Sequence, residues 1–317
     1  MYKYKCLLNN EYYAIKITPM SHFNIKHFPN MHFKKVNVLK KFLRNNFIQK
    51  LVSSFHDYDN LYFVTKFYDG FIFNHLDNKY WNENQIQFFS VCLIQSFIGL
   101  RKEQLIHRDI HFGNLVLDEK QYINLIDFHI AIEYKNKDDP KKNLVGTPLL
   151  CAPEMIKGLK YDYNSDYYRL GGMIYFILFR KFPNTIKNKK NVTDIIINYN
   201  ENKNYSISCI DFINKLIITD YKKRIGFNNI DELKNHDFFK NFNWSELIDG
   251  KMKSPFPRIP YKSLGFCKNL YNFKKKIFIK TDLLKNNTFR NIFFNYDNIN
   301  NAIIDKIFQT FKNNINK

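Results

Sequence analysis

The chain has 317 residues with 45% hydrophobic and 17% aromatic content, which excludes a disordered polymer and allows one large domain or two lobes with a sizeable core. Its longest apolar runs, such as LGGMIYFILF at 170–179, are too short to span a bilayer, so no transmembrane segment is expected. The formal net charge is +20, which suits nucleic acid, anionic membrane or acidic protein partners, although Lys, Asn and Ile abound everywhere and compositional bias accounts for most of it.

Residues 1–17 read as a hairpin: KYKCLL, a turn at Asn9-Asn10, then EYYAIKI. Residues 33–44 place Val36, Leu39, Phe42 and Leu43 on one helical face. Residues 48–56 and 61–68 read as two further strands, completing a strand-rich unit over 1–70. A long helix is expected over 84–103, with Phe88, Cys92, Phe97 and Leu100 on one side. NLVLD (114–118) and YINLID (122–127) read as a second hairpin, and 165–181 and 208–218 as helices. The order, strands with one helix and then mostly helices, implies an α+β fold of two lobes, with residues 71–258 forming the larger, helical one. Residues 259–317 form a polar and aromatic tail. The N-terminus lacks a signal-peptide pattern. Cys6, Cys92, Cys151, Cys209 and Cys267 make no CxxC pair, so reduced thiols and a cytoplasmic or nuclear setting are expected.

Chemistry concentrates in HRDIHFGN (107–114) and in DFH (127–129), with GTPLLCAPE (146–154), SDYYRLGG (165–172), Arg224 in DYKKRIG and AIK (14–16) in fixed order around them. Together these motifs resemble eukaryotic protein kinases, over roughly 1–258. The closing stretch at 233–260 is similar to the AGC group, and DFHIAI to the DFN-type loop of its YANK branch. FRNIFFNY (289–296) loosely resembles an AGC hydrophobic motif.

The resemblance implies a two-lobed kinase fold, ATP and Mg²⁺ as cofactors, and transfer of the γ-phosphate to protein Ser/Thr hydroxyls. Asp109 would orient the substrate hydroxyl and accept its proton. Asn114 and Asp127 would supply oxygen ligands to the metal. Lys16 would hold the α/β-phosphates. Ala14 would lie against the adenine, Thr65 would be the gatekeeper, and Lys66, Phe67 and Tyr68 would form the hinge. Thr147 belongs to a Ser/Thr-type substrate loop. Glu154 and Arg224 would brace the larger lobe, Asp166 would hold the HRD backbone, and His107, Phe128, Leu39 and Leu51 would stack as a spine.

The pattern departs from the family at several points. The first glycine is Gly70, so no Gly-rich loop precedes Lys16. No Asp or Glu lies between Glu11 and Asp57, and Lys35 or Val36 stands where a helix Glu would pair with Lys16. His111 replaces the usual Lys; it serves either the phosphate or a backbone contact. Asn143 stands at the activation-loop threonine position, and 128–146 contains no Ser or Thr. Ile72 stands about where an acid often contacts the ribose. Gly113 replaces the acid of basophilic relatives, so a preference for Arg-rich peptides is not indicated. Two functions follow: a Ser/Thr protein kinase with weakened catalysis, or a pseudokinase that binds or scaffolds. Protein substrates or partners, acidic ones weakly favoured, are expected in both. No base-reading or stacking module for nucleic acid is apparent, and oligomeric state is unreadable.

Overall fold

A computed structural model describes residues 2–5, 11–19, 36–56, 59–76, 80–134, 144–183, 196–198 and 204–259. The turn at Asn9-Asn10, Lys35, Asn143 and the tail from residue 260 lie outside the described residues. The chain divides into two compact units. One contains the described residues through Leu43 and Gln49–Tyr68; the other contains Arg44–Ile48 and 69–259.

In the first unit, β1 (Tyr2–Lys5), β2 (Tyr12–Pro19), β3 (Leu51–His56) and β4 (Asn60–Lys66) make an antiparallel sheet ordered β1-β2-β4-β3. Strand β4 is buried at five successive positions, Leu61 to Thr65. Since successive side chains point to opposite faces, it is covered on both. Tyr13, Ile15, Tyr62 and Val64 form one core cluster, against which Ile17, Val52 and Phe55 pack. Phe55 stacks on Tyr62 at 4.7 Å between centroids.

The helix expected over 33–44 ends early. Helical geometry covers 36–40, followed by turns to 44. Val36, Leu39 and Phe42 are buried as expected, but Leu43 is 47% exposed. The amides of Lys41, Phe42 and Leu43 bond carbonyls three residues back. That tighter winding rotates Leu43 off the apolar face.

The second unit is built around two helices. Helix α1 (Glu83–Lys102) starts at a capping box, in which Asn82 accepts from the Gln85 amide and the Gln85 side chain accepts from the Asn82 amide. Phe88, Cys92, Phe97 and Leu100 are all buried on it. Helix α2 (Pro153–Ile156) is short, and α3 (Asn164–Phe179) is buried along nearly its whole length. Helices α4 (Ile207–Leu216), α5 (Asp231–Lys234) and α6 (Trp244–Ile248) follow. A sheet of β5 (Gly70–Phe71), β7 (Leu115–Leu117) and β8 (Ile123–Leu125) carries the expected hairpin in its last two strands. Strand β6 (Leu105–Ile106) pairs with β9 (Ile132–Glu133). These two small sheets enclose HRDIHFGN and DFH in sequence, so both motifs occupy tight links between strands. Ile72 is fully buried. It is a core residue of this unit.

Candidate active site

The loop after β6 enters through Arg108 at φ 70°. A non-glycine residue there costs about 1–3 kcal/mol, so the surroundings must impose it. They do so through Asp166 on α3, whose two carboxylate oxygens accept from the His107 amide at 2.7 Å and the Arg108 amide at 2.9 Å. Arg108 Nε donates to the Ile130 carbonyl at 2.7 Å, and Nη1 to the Tyr161 hydroxyl at 3.1 Å. His107 is fully buried, and burial pushes its imidazole down to about 4. It is therefore neutral near pH 7. Its Nδ1 accepts from the Asp109 amide at 3.3 Å, which leaves Nε2–H to donate to the Ile126 carbonyl at 3.1 Å. Its ring meets Phe128 edge-on at 4.7 Å.

Asp109 is 8% exposed. Its Oδ1 accepts from the Thr147 amide and from Thr147 Oγ1, both at 2.9 Å. Its Oδ2 accepts from Asn114 Nδ2 at 3.3 Å and lies 3.6 Å from His111 Nε2. Burial opposes ionisation, but the nearby His111 imidazole and the bonds from Thr147 outweigh it and hold the carboxyl well below its usual range. Asp109 is thus a fixed carboxylate. Thr147 reaches it because Gly146 adopts φ 86°; a Cβ there would stand 2.2 Å from the Arg108 carbonyl oxygen, so only glycine allows this approach.

His111 caps the turn 112–114, its Nδ1 accepting from the Gly113 amide at 3.1 Å. Of the two roles open to it, the backbone contact is the one seen. The imidazole lies so close that a Cβ on Gly113 would come within 2.9 Å of it. Asn114 is buried, and its Nδ2 donates to the Asp109 carbonyl at 2.9 Å, which leaves Oδ1 as the remaining donor atom for a cation. The Ile126 amide bonds the Asn114 carbonyl at 2.9 Å, bringing the DFH segment alongside the loop. Asp127 stands at φ 65°, with Oδ1 3.2 Å from His129 Nδ1.

Asp109, His111, Asn114 and Thr147 therefore form one contact network, and Asp127 joins it through its backbone neighbour. The remaining expected residues lie in the other unit. Ala14 is buried opposite Thr65 in the β2–β4 register, and Lys16, half-buried, opposes Phe63. Thr65 Oγ1 accepts from Gln49 Nε2 at 3.0 Å and donates to the Ala14 carbonyl at 3.4 Å. The Lys66 amide bonds the Lys50 carbonyl and the Phe67 amide the Tyr12 carbonyl. Tyr68 is buried.

A family model described as "Protein kinase domain" matches residues 1–239. The chain belongs to the protein kinase family, in its AGC group. The serine/threonine-protein kinase sgk-1 of Caenorhabditis elegans is 30% identical over 249 residues, covering 77% of this chain and 54% of that protein. Sgk1 of Xenopus tropicalis is 28% identical over 253 residues, covering 78% and 60%. A probable serine/threonine-protein kinase of Dictyostelium discoideum is 30% identical over 249 residues, covering 77% and 54%. The chain thus spans little more than half the length of the curated relatives it matches.

Two braces of this kinase domain match expectation. Glu154 and Arg224, 1% and 0% exposed, form a two-pronged pair at 2.7 and 2.9 Å. Asp166 holds the HRD backbone as described. Arg169 is a participant that motif reading missed. It is fully buried on α3, and its Nη2 donates to the Val145 carbonyl and to Cys151 Sγ, both at 3.4 Å. Its Nε and Nη1 have no hydrogen-bond partner among the described residues. It is a buried cation directly beneath the Gly146–Thr147 turn. The signal was present: a charged residue inside the apolar helix SDYYRLGGMIYFILF.

Proposed function

We propose that this chain carries a Ser/Thr protein kinase domain, transferring the γ-phosphate of ATP to hydroxyls of protein substrates with reduced efficiency. The carrying observation is Asp109: an ionised, buried carboxylate with one oxygen fixed by both donors of Thr147. In phosphoryl transfer the protein chiefly positions groups and neutralises charge. Asp109 would orient the substrate hydroxyl through Oδ2 and take its proton as the phosphate moves. Thr147 would keep that carboxylate in one rotamer. The donor set fits Mg²⁺, since Asn114 Oδ1 and Asp127 offer hard oxygens and phosphate oxygens would complete the sphere. The ion, when bound, neutralises phosphate charge.

On this reading the family's residues in the N-terminal unit carry over by position: Lys16 for the phosphates, and Ala14, Lys66, Phe67 and Tyr68 around the base. Residues 1–70 and 71–258 are read as the two lobes and 259–317 as an AGC-type tail. Substrates would be proteins, acidic surroundings being favoured by the +20 charge. The cysteine spacing supports a cytoplasmic or nuclear setting, and among the described residues no helix is long and apolar enough to cross a membrane.

A binding-only pseudokinase is the second reading. Two observations favour it: the absence of any acid between Glu11 and Asp57 to orient Lys16, and the use of His111 as a turn cap. Thermal unfolding with and without ATP and Mg²⁺ tests the kinase reading first. A native-state ligand at a hundred times its Kd adds about 2.7 kcal/mol, so a metal-dependent rise of several degrees is expected. No rise at millimolar ATP would overturn the nucleotide site.

A further inference from the structure

The third residue of DFH is absorbed by none of the roles above. His129 Nδ1 lies 3.2 Å from Asp127 Oδ1, with the two side chains 40% and 25% exposed. Phe128 between them is buried against His107, and the Ala131 amide closes a turn on the Phe128 carbonyl at 3.2 Å. The segment is pinned at its centre, and residues 127 and 129 present one nitrogen and one oxygen as a pair. Two donors bound at ~2.1 Å and at right angles to one another stand ~3.0 Å apart. The observed spacing is therefore close to one edge of a metal coordination sphere.

We propose that His129 is a ligand of the divalent cation held by Asp127 and Asn114, so that this site is a mixed nitrogen–oxygen site preferring Mn²⁺ to Mg²⁺. Imidazole suits first-row transition ions, whereas Mg²⁺ takes oxygen almost exclusively. No group of three His, Cys, Asp or Glu side chains arranged to hold a metal occurs among the described residues. The proposed site would combine the Asp127–His129 edge with Asn114 Oδ1, phosphate oxygens and water completing the sphere. His111 is engaged elsewhere: its Nδ1 accepts from the Gly113 amide, and its Nε2 lies 3.6 Å from Asp109 Oδ2.

The inference rests on the proposed phosphotransfer site, and its test separates the two. Mn²⁺ alone is added to the full chain, and electron spin-echo modulation is recorded. Wild type should show ¹⁴N coupling from one imidazole. His129→Asn, which keeps an exposed polar residue in the turn, should lose that coupling and bind Mn²⁺ about tenfold more weakly, with Mg²⁺ affinity little changed. Asp127→Asn should weaken both ions. Mn²⁺ bound without ¹⁴N coupling, coupling that survives in His129→Asn, or no Mn²⁺ binding would each overturn the proposal. Phosphotransfer with Mg²⁺ but no nitrogen coupling would remove His129 and leave the kinase reading standing. Coupling without phosphotransfer would do the reverse.

Discussion

In the unit built from 44–48 and 69–259, charged side chains sit in the interior and are bound there: Glu154 to Arg224, Asp166 to two loop amides, Asp109 to Thr147 and Asn114. Among the described residues of the N-terminal unit the buried positions are apolar or neutral, with Gln49, Ser53 and Thr65 as the polar exceptions. Its cations Lys16, Lys50 and Lys66 stay at least partly exposed. Burial and then the Lys66 charge push the Lys50 ammonium down. The difference teaches where each unit's specificity resides. The helical unit fixes its geometry by buried charge, which is costly to break. The sheet fixes its geometry by apolar packing and neutral hydrogen bonds, which yield in smaller steps.

The largest effect should come from Glu154→Gln. It leaves Arg224 charged and 0% exposed, and breaking a buried pair from one side costs about 3–5 kcal/mol. Urea unfolding should show that loss; a change under ~1 kcal/mol would break the contrast between the units.

The next effect concerns pH. Burial pushes Asp166 up to about 6, the His107 and Arg108 amides and the Arg169 charge only partly offsetting it. An unfolded Asp titrates near ~3.9. Between these values the folded state binds more protons than the unfolded one, so this group's contribution to stability is full below pH ~3.9 and is lost as pH rises through about 6. His107, held at about 4, gives the opposite slope up to pH ~6.5. Comparing wild type with Asp166→Asn isolates the carboxyl. Their difference in unfolding free energy should change by roughly 2–3 kcal/mol between pH 4 and 7. A constant difference would show that Asp166 is ionised throughout.

In the sheet, Thr65→Val removes the hydrogen bonds that Thr65 Oγ1 makes with Gln49 Nε2 and the Ala14 carbonyl and should cost about 1–2 kcal/mol. Hydrogen exchange should show the loosening confined to the N-terminal unit. Loosening that spreads to the HRD loop would mean the units do not respond separately. The smallest effect is expected from Thr147→Ala, which deletes one of the two donors on Asp109 Oδ1. Turnover should fall about tenfold, equivalent to ~1.4 kcal/mol, with KM little changed and Thr147→Ser restoring it. Loss confined to KM would make Thr147 a substrate contact only.

Much of this was legible in the sequence. Alternation and apolar spacing located both hairpins and the helices that became Glu83–Lys102, Asn164–Phe179 and Ile207–Leu216. The motif order pointed to Asp109, Asn114, Asp127 and Thr147, and the loop brings Asp109, Asn114 and Thr147 into hydrogen-bond contact. Periodicity failed at Leu43, because tight turns replaced the last helical turn and no residue type marks that change. Arg169 was overlooked because motif reading looks at matching positions, whereas its meaning lies in the apolar helix around it. The turn-capping contact of His111 depends on a ring orientation, which sequence does not encode locally.

The central claim is that Asp109 serves phosphotransfer and not merely loop structure. γ-Phosphate transfer from ATP with a divalent cation to a Ser/Thr peptide should be followed for the wild-type chain beside Asp109→Asn, both verified as folded. Transfer should be measurable in wild type and about 10²–10⁴-fold slower in the variant, with nucleotide affinity retained. Equal signals in the two proteins, or none in a wild type that binds ATP, would contradict it.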